Sequence, residues 1–501
     1  MLRAGISIDP AFTVAPVNRR TFGSFVEHMG RCVYTGIHEP EHPTADEDGF
    51  RQDVLELVRE LGVSVVRYPG GNFVSGYRWE DGVGPVSGRP RRLDPAWRSL
   101  EPNTFGLDEF VRWSRKAGVE PMMAVNLGTR GLQEAIDLLE YCNHPGGTAL
   151  SDLRRRHGAE QPYGIGTWCL GNEMDGPWQL GHKPAAEYGR IAAETASAMR
   201  QFDAGLQLVA CGSSYRHMPT FGAWEAEVLE RAYDSVDAIS AHAYYEDTGD
   251  TASFLASAVD MDAQIRDVVA TADHVRAKLG RSKRIDVSFD EWNVWYVSRL
   301  SQQVPEEWTF APRISEDAYT VTDAVVVGSM LITLLRHSDR VTAACQAQLV
   351  NTISSIRAEP GGPAWRQTIF HPFAQAARLA RGQVLQVVVD SPTYGTEKYG
   401  EVPVVDAVAT HDEDTGELAV LCVNRSQTEA VELALDLRAF PGVRLAEATV
   451  LADEDRLAAN TAEAPERVRP RGHPDAVCDG ERLRVVLPPV SWNAVRLAPT
   501  G

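Results

Sequence analysis

The sequence predicts an α/β protein: a (β/α)₈ TIM barrel followed by a C-terminal antiparallel β-sandwich that is jelly-roll-like. Up to about residue 375, eight short β-branched runs alternate with longer segments of helical periodicity. Most of these runs turn polar at their C-terminal ends, the edge at which the active sites of barrels form. After about residue 385, apolar residues recur at every second position, a pattern typical of a sandwich.

The eight strand candidates are each followed by a segment that can form a helix. One such segment places Val54, Leu57 and Leu61 on one face, and another does so for Phe110 and Trp113. An open doubly wound sheet would show the same alternation, but the chain lacks the glycine-rich nucleotide motifs of such sheets, which favours the barrel. The candidates are residues 21–27, 64–70, 121–126, 166–173, 208–213, 238–245, 285–292 and 342–350.

The change of pattern along the chain predicts its domain organisation. Residues 1–18 contain a strand-like segment that precedes the barrel and can join the sandwich. Residues 19–383 form the catalytic barrel and residues 384–501 form the sandwich. Within the second unit, residues 452–482 are rich in Asp, Glu, Arg and Pro, and we expect a long surface excursion there.

Composition excludes several classes of protein. The 501 residues carry a formal net charge of −20, which argues against nucleic acid or an anionic membrane as a partner. The seven cysteines are scattered without a C-x-x-C pair, as in a chain from a reducing compartment. No signal peptide is visible, and the longest apolar run, residues 324–335, is too short to cross a bilayer and predicts a core helix. We therefore expect a cytoplasmic protein.

Two carboxylates stand at the predicted mouth of the barrel. Glu173 follows Asn172 at the end of the fourth strand, and Glu291 lies at the end of the seventh. Hydrolysis of a glycosidic bond needs one carboxylic acid to protonate the leaving oxygen and one carboxylate to act at the anomeric carbon. Most glutamates are merely exposed surface residues, but each of these ends an apolar strand. A glycoside hydrolase is therefore the favoured interpretation.

The remaining polar and aromatic residues near these strand ends suit a neutral sugar. Amide and carboxyl groups can bind hydroxyls, Tyr244 can donate to the nucleophile, and tryptophan rings can stack on sugar C–H faces. The alternative is structural: loop capping, a core histidine at His242, or core packing, which we favour for Trp292. The candidates are Glu27, Asn72, Asn172, His242, Tyr244 and Gln348, with Trp97, Trp178, Trp292 and Trp295.

The sequence predicts no metal ion and no cofactor. His38 and His42 flank a Glu-Pro-Glu segment, in which Pro40 prevents the helix that would align the two imidazoles. The chain also lacks an H-E-x-x-H motif, a G-x-S-x-G motif and clustered Cys and His.

Several long motifs resemble the α-L-arabinofuranosidases of glycoside hydrolase family fifty-one, in the same order along essentially the whole chain. They are FVEHMGRCVYTGI, RYPGGNFVSGYRWEDGVGP, GNEMDGPWQLGH, DEWNVWY, AQLVNTI and TIFHPFAQAARLARG. The resemblance implies Glu173 as acid/base and Glu291 as nucleophile of a retaining double displacement. It also implies a hexamer that acts on short neutral arabino-oligosaccharides. Around the arabinofuranose it places Glu27, Asn72, Asn172, Tyr244 and Gln348, with Trp97 and Trp295 shaping the pocket.

The predicted function is thus an exo-acting hydrolase that releases terminal non-reducing α-L-arabinofuranosyl residues from fragments of arabinan or arabinoxylan. A related β-xylosidase or β-glucanase is an alternative, which aryl β-D-xyloside hydrolysis would reveal. A sugar-binding protein on an inactive barrel is a second alternative, but a binding module does not need two opposed carboxylates.

Overall fold

A computed structural model describes residues 1–500 of the chain. Two strands come first, a closed barrel of eight strands follows, and two packed sheets complete the chain. The strands as far as the end of the barrel are β1 (Leu2–Ser7), β2 (Thr13–Pro16), β3 (Gly23–Phe25), β4 (Val65–Tyr68), β5 (Arg92–Asp94), β6 (Ser99–Glu101), β7 (Glu120–Ala124), β8 (Thr167–Leu170), β9 (Gln207–Ala210), β10 (Ala238–Tyr245), β11 (Asp286–Val294) and β12 (Val341–Gln346).

The barrel strands follow one another around the ring in chain order: β3, β4, then β7 to β12, with β12 pairing to β3 to close it. Every pair is parallel, so all eight C-terminal ends meet at one mouth. The predicted barrel is therefore confirmed. The last predicted strand is shorter than expected, because regular pairing ends at Gln346.

Helices connect successive barrel strands and bury the faces that the sequence predicted. Val54 and Leu61 are buried in the first helix, and Phe110 and Trp113 in the second. No helix within residues 1–500 has both the length and the apolar character needed to cross a bilayer. The helices are α1 (Gln52–Leu61), α2 (Leu107–Ala117), α3 (Leu132–Asn143), α4 (Ala149–Arg156), α5 (Ala185–Phe202), α6 (Ala223–Ala232), α7 (Thr251–Leu255), α8 (Ala258–Leu279), α9 (Leu300–Gln303), α10 (Val321–Arg336) and α11 (Phe370–Leu379).

The C-terminal sheets form a sandwich around their own apolar core. The two-residue periodicity has a direct structural cause, since alternate side chains of Val431–Asp436 point into this core. The remaining strands are β13 (Ile356–Ala358), β14 (Ala364–Arg366), β15 (Gln383–Leu385), β16 (Val388–Asp390), β17 (Thr393–Thr396), β18 (Gly400–Pro403), β19 (Val405–Asp412), β20 (Glu417–Asn424), β21 (Val431–Asp436), β22 (Val443–Leu451), β23 (Arg471–Gly472), β24 (Val477–Cys478), β25 (Arg482–Leu487) and β26 (Ser491–Pro499).

The two sandwich sheets have the orders β16-β1-β21-β25-β24 and β2-β15-β19-β20-β26-β22-β23. The N-terminal strands thus lie in the sandwich, where β2 pairs antiparallel with β15. One pair departs from antiparallel pairing: β1 runs parallel to β21. The division of the chain at residues 18 and 383 into folding units stays a prediction.

Helix α10 joins the barrel to the sandwich. Its residues from Val321 to Leu335 are buried, because one side packs on α8 and the other on β19, β20 and β26. This is the helix that the long apolar run predicted. The indole of Trp492, from β26, lies directly on Gly328, and its Nε1 donates to Gln375 Oε1 at 2.8 Å. A Cβ on Gly328 would overlap that ring.

We expect the Gly328→Ala variant to lower the free energy of unfolding by about 1–3 kcal/mol, because the added methyl forces the Trp492 indole out of its packing. The change from Gly to Ala also raises helix propensity by about 1 kcal/mol, and this gain offsets part of the loss. Chemical denaturation measures the difference. Ser329→Ala is the matched control: Ser329 Oγ is buried with no hydrogen-bond partner within residues 1–500, so its removal should not destabilise. An unchanged free energy of unfolding in the Gly328→Ala variant would contradict this account of the interface between α10 and β26.

Candidate active site

The two predicted catalytic glutamates meet at the mouth of the barrel. Glu173 lies three residues beyond the end of β8, and Glu291 lies within β11. One carboxylate oxygen from each lies within 4.8 Å of the other and of a ring nitrogen of His242. Both side chains are buried, and the backbone of Glu173 has a φ of +43°, a left-handed conformation that is uncommon outside glycine.

A buried arginine and a tyrosine hold Glu291. Arg67, in β4, donates from Nη1 to Glu291 Oε1 at 2.7 Å, and Tyr244 donates its hydroxyl to Oε2 at 2.9 Å. The other terminal nitrogen of Arg67 donates to Asn172 Oδ1 at 2.7 Å. One guanidinium therefore fixes Glu291 and the residue before Glu173. Although burial opposes the charge of Arg67, the carboxylates of Asp290 and Glu291 keep its pKa well above the usual value.

Glu173 has a different environment. Burial raises the pKa of its carboxyl, the nearby charge of Glu291 raises it further, and hydrogen bonds from His242 and Trp178 oppose the increase. His242 Nδ1 lies 2.9 Å from Glu173 Oε1, and Trp178 Nε1 donates to Oε2 at 2.8 Å. The two glutamates therefore differ in electrostatic environment, since only Glu291 is paired with a guanidinium.

His242 links these carboxylates to a third one below them. Its Nε2 lies 2.9 Å from Oδ1 of the fully buried Asp290, and Arg67 Nε lies 3.9 Å from the other oxygen of Asp290. Burial alone would lower the pKa of His242, but the charges of Glu291, Asp290 and Glu173 outweigh it and raise the pKa to about 10. His242 is therefore an imidazolium at neutral pH, and both ring nitrogens donate. Burial opposes the ionisation of Asp290, yet Arg67 and His242 lower its pKa.

Glu27 lies at the same mouth, two residues beyond the end of β3. Its Oε1 accepts from the backbone N–H of Phe73 at 2.9 Å and from Trp97 Nε1 at 2.8 Å, and its Oε2 accepts from Gln348 Nε2 at 3.0 Å. Burial and the charge of Glu291 raise the pKa of Glu27 to about 8 despite these donors. Gly71 lies so close that a Cβ there would overlap the Glu27 carboxylate, which explains the paired glycines of the RYPGGNF motif.

Several polar atoms of the site lack partners. Asn172 Nδ2 and Gln348 Oε1 are buried, and neither has a hydrogen-bond partner among residues 1–500. Both atoms can therefore form a hydrogen bond to a polar group that enters the mouth. Trp295 closes the rim: its ring meets that of Tyr244 edge to face at 5.0 Å, and its Nε1 donates to Ser315 Oγ at 2.9 Å.

The structure thus brings the predicted site residues together at one mouth. Asn72 lies between Gly71 and Phe73, both of which contact Glu27. Two polar residues at other strand ends do not join the site: Asn126 Oδ1 accepts from the backbone of its own loop, and the Ser213 backbone binds Glu225. The residues around the mouth are Glu27, Asn72, Trp97, Asn172, Glu173, His242, Tyr244, Glu291, Trp295 and Gln348.

Sequence analysis missed two residues on which the site rests, Arg67 and Asp290. Each left a signal. Arg67 interrupts the apolar strand run SVVRYPG, and a charge at a position of full burial needs buried partners. Asp290 precedes Glu291 in a buried strand, and a register shift between Phe289 and Trp292 lets both acidic side chains reach Arg67 and His242. Trp292, in the same strand, is fully buried and belongs to the core, as the sequence favoured.

The cluster of Glu173, His242 and Glu291 has the spacing of a metal site. Its ligand atoms already have protein partners, because Arg67 binds Glu291 Oε1 at 2.7 Å and the two ring nitrogens of His242 contact Glu173 and Asp290. The second histidine of the His38–His42 segment is used otherwise: His42 contacts Thr44 Oγ1 and the carbonyl of Gly362, each at 2.9 Å.

Comparison with known proteins gives concordant matches over the whole chain. Residues 57–266 match the family model described as α-L-arabinofuranosidase 1 domain, and residues 290–491 match that of the α-L-arabinofuranosidase C-terminal domain. A protein of Streptomyces lividans named intracellular exo-α-(1→5)-L-arabinofuranosidase is 61% identical over 505 residues, covering 99% of this chain and 76% of the relative. An exo-α-(1→6)-L-arabinofuranosidase of Bifidobacterium longum is 55% identical, covering 98% and 96%.

The solved structures agree with the sequence relatives. A family 51 α-L-arabinofuranosidase from Bifidobacterium longum superposes with a TM-score of 0.96 at 51% identity, covering 99% of each chain. An α-L-arabinofuranosidase from Thermotoga maritima, solved as an arabinose complex, superposes with a TM-score of 0.88 at 33% identity, covering 99% of this chain and 100% of that one.

We expect the Asp290→Asn variant to lower the pKa of His242 from about 10, because the Nε2–H loses its carboxylate partner. The imidazolium would then lose its proton at a lower pH than in the wild type. Ring ¹⁵N shifts of histidine-labelled protein, titrated from neutral to alkaline pH, measure the midpoint.

Asp262→Asn serves as the matched control, since Asp262 contacts a different histidine, His337 Nε2, at 2.7 Å. It should leave the His242 midpoint unchanged. If the His242 titration midpoint were equal in Asp290→Asn and in the wild type, Asp290 would not stabilise the imidazolium of His242.

Proposed function

This chain belongs to the α-L-arabinofuranosidases of glycoside hydrolase family 51, and we propose that it cleaves its substrates by a retaining double displacement. It is a glycosidase that releases arabinofuranosyl residues. In our proposal Glu291 is the nucleophile and Glu173 the acid/base. Exo action, on terminal non-reducing residues, is a further part of the proposal.

The separation of the two carboxylates is the observation that supports retention most directly. Oxygens of Glu173 and Glu291 lie within 4.8 Å of each other. Retaining glycosidases keep their carboxyl groups about 5–5.5 Å apart, whereas inverting enzymes need about 6.5–9.5 Å to admit a water between them. The site therefore favours direct attack by a carboxylate on the anomeric carbon.

The two environments match the two roles. Arg67 and Tyr244 orient the Glu291 carboxylate, and an ionised oxygen attacks the anomeric carbon as the glycosidic C–O bond breaks. Glu173, whose pKa is raised by burial, gives its proton to the leaving oxygen. In the second step a water loses its proton to Glu173 and attacks the same carbon, and the ester bond to Glu291 breaks.

The remaining site residues are proposed to bind the arabinofuranose. The unpartnered Asn172 Nδ2 is suited to donate to the hydroxyl beside the reacting carbon, where hydrogen bonds strengthen in the transition state. The depth of the carboxylates supports exo action, since the side chains of Glu173 and Glu291 are only 11% and 6% exposed. The proposed binding residues are Glu27, Asn72, Trp97, Asn172, His242, Tyr244, Trp295 and Gln348.

We propose short neutral arabino-oligosaccharides, from arabinan or arabinoxylan, as substrates, and the cytoplasm as the location. Relatives are named for (1→5) and (1→6) linkages, and several of those named for (1→5) are called intracellular. The cysteines are free thiols, and six of the seven are buried, which suits a reducing compartment. The buried carboxylates would repel uronic acids. The hexamer that the resemblance implies stays a prediction.

We expect Glu291→Ala to lose activity on all arabinofuranosides, because no covalent intermediate can form. Glu173→Ala should keep much of its first-step rate on an activated aryl α-L-arabinofuranoside, whose leaving group needs no proton. On arabino-oligosaccharides it should be slower by about 10²–10⁴-fold. Burst-phase and steady-state kinetics on both substrates measure these differences.

Glu80→Ala is a suitable control, since Glu80 is a surface glutamate paired with Arg130, and it should retain wild-type rates. If Glu173→Ala lost activity on both substrates while Glu291→Ala kept activity on the activated one, the two roles would have to be exchanged.

A further inference from the structure

Two exposed aromatic rings extend from the acid/base side of the site. Trp178, whose Nε1 binds Glu173, stacks on Tyr215 with centroids 6.4 Å apart and planes at 26°. Their exposed fractions are 46% and 42%, which is unusual for such large side chains beside a buried site. Because the leaving group departs on the side of the acid, these rings lie where the rest of a substrate chain would pass.

Next to these two rings is a cavity of about 480 Å³ beside β10, whose lining includes His242 and Tyr244 of the site. Tyr215 belongs to both the aromatic pair and the cavity lining, so the two features are continuous. A cavity of this size is in the range of small-molecule sites. Its walls come from the loop after β9, from β10, from α7 and α8, and from the turn between β17 and β18, and include Tyr215, Arg216, Tyr245, Phe254, Lys398 and Tyr399.

The sandwich supplies part of this cavity. The turn between β17 and β18 carries Lys398 and Tyr399, and it is attached to α7 of the barrel by two hydrogen bonds. Tyr394 donates its hydroxyl to the carbonyl of Ala252 at 3.1 Å, and the backbone N–H of Lys398 donates to Ser253 Oγ at 3.1 Å. The turn is thus anchored to the barrel, and the aromatic ring of Tyr399 is held at the cavity.

The charges of the cavity suit a neutral ligand rather than an anion. Arg216 is already paired with Asp260 at 2.8 Å and with Asp267 at 2.9 Å, so its charge is compensated. The carboxylate of Glu246 also lines the cavity and offsets the charge of Lys398, whose ammonium can donate three hydrogen bonds to hydroxyls. Aromatic rings that bind the C–H faces of sugars, together with a few polar donors, are a combination suited to a saccharide.

We propose that this cavity binds the distal sugar units of the leaving-group chain, so that the β17–β18 turn of the sandwich contributes to recognition of long substrates. The proposal rests on the proposed function, because it takes Glu173 as the acid that faces the leaving group. The occupant is a neutral arabino-oligosaccharide bound at its non-reducing end in the mouth. Binding in the cavity therefore depends on the length of the substrate chain, and the cavity takes no part in bond cleavage.

The test compares Tyr399→Ala with the wild type on an aryl α-L-arabinofuranoside and on linear α-(1→5)-linked arabino-oligosaccharides of increasing length. We expect kcat/KM on the aryl substrate to stay within about twofold. On the longer oligosaccharides it should fall by about tenfold, through KM rather than kcat, because a stacking contact worth about 1.4 kcal/mol is lost. Tyr399→Phe, which keeps the ring, should restore the wild-type dependence on length.

The matched control is Glu397→Ala, an exposed residue of the same turn that is not among the cavity-lining side chains, and it should behave as wild type on every substrate. Equal losses on the aryl and the long substrates would show that Tyr399 acts structurally, and an unchanged length dependence would show that the cavity is not a subsite. Either result overturns this proposal. Failure of the wild type to cleave the aryl arabinofuranoside would instead contradict the proposed function.

Discussion

The site depends on one buried charge arrangement, the guanidinium of Arg67 between Asp290 and Glu291. A buried cation is stable only when it is paired, and breaking a buried pair costs about 3–5 kcal/mol. Arg67 is fully buried and uses its terminal nitrogens on Glu291 and Asn172, so Glu291 and the residue beside Glu173 share one anchor. The imidazolium of His242 supplies the second positive charge. These two cations compensate the carboxylates that crowd the buried mouth.

The parallel barrel explains how distant parts of the chain share this arrangement. Side chains from Glu27 to Gln348 meet because the strands that precede or carry them end at the same mouth. The sandwich contacts that frame through α10 and α11, and the β17–β18 hairpin is attached to α7. The C-terminal residues therefore both pack against the barrel and line a cavity beside β10.

The sequence predicted the barrel, the sandwich and the location of the two glutamates, because strand periodicity and polar strand ends are local signals. It did not predict the contacts beneath them. The partners of Arg67 lie 105 and 224 residues away, and no local pattern indicates such pairing. The contacts of His242 with both Glu173 and Asp290 could not be predicted either, since a histidine in a strand is compatible with a structural role. The hydrogen bonds from Tyr394 and Lys398 to α7 depend on how the C-terminal hairpin packs against the barrel.

The central claim is that this buried arrangement holds Glu291 to form a covalent bond with the sugar. Rapid quenching of Glu173→Ala with an activated aryl α-L-arabinofuranoside, followed by peptic digestion and mass spectrometry, tests it directly, because the slow second step lets the intermediate accumulate. We predict one anhydropentosyl unit on the peptide that contains Glu291. Turnover without an adduct, or an adduct on another residue such as Glu27, would contradict the account.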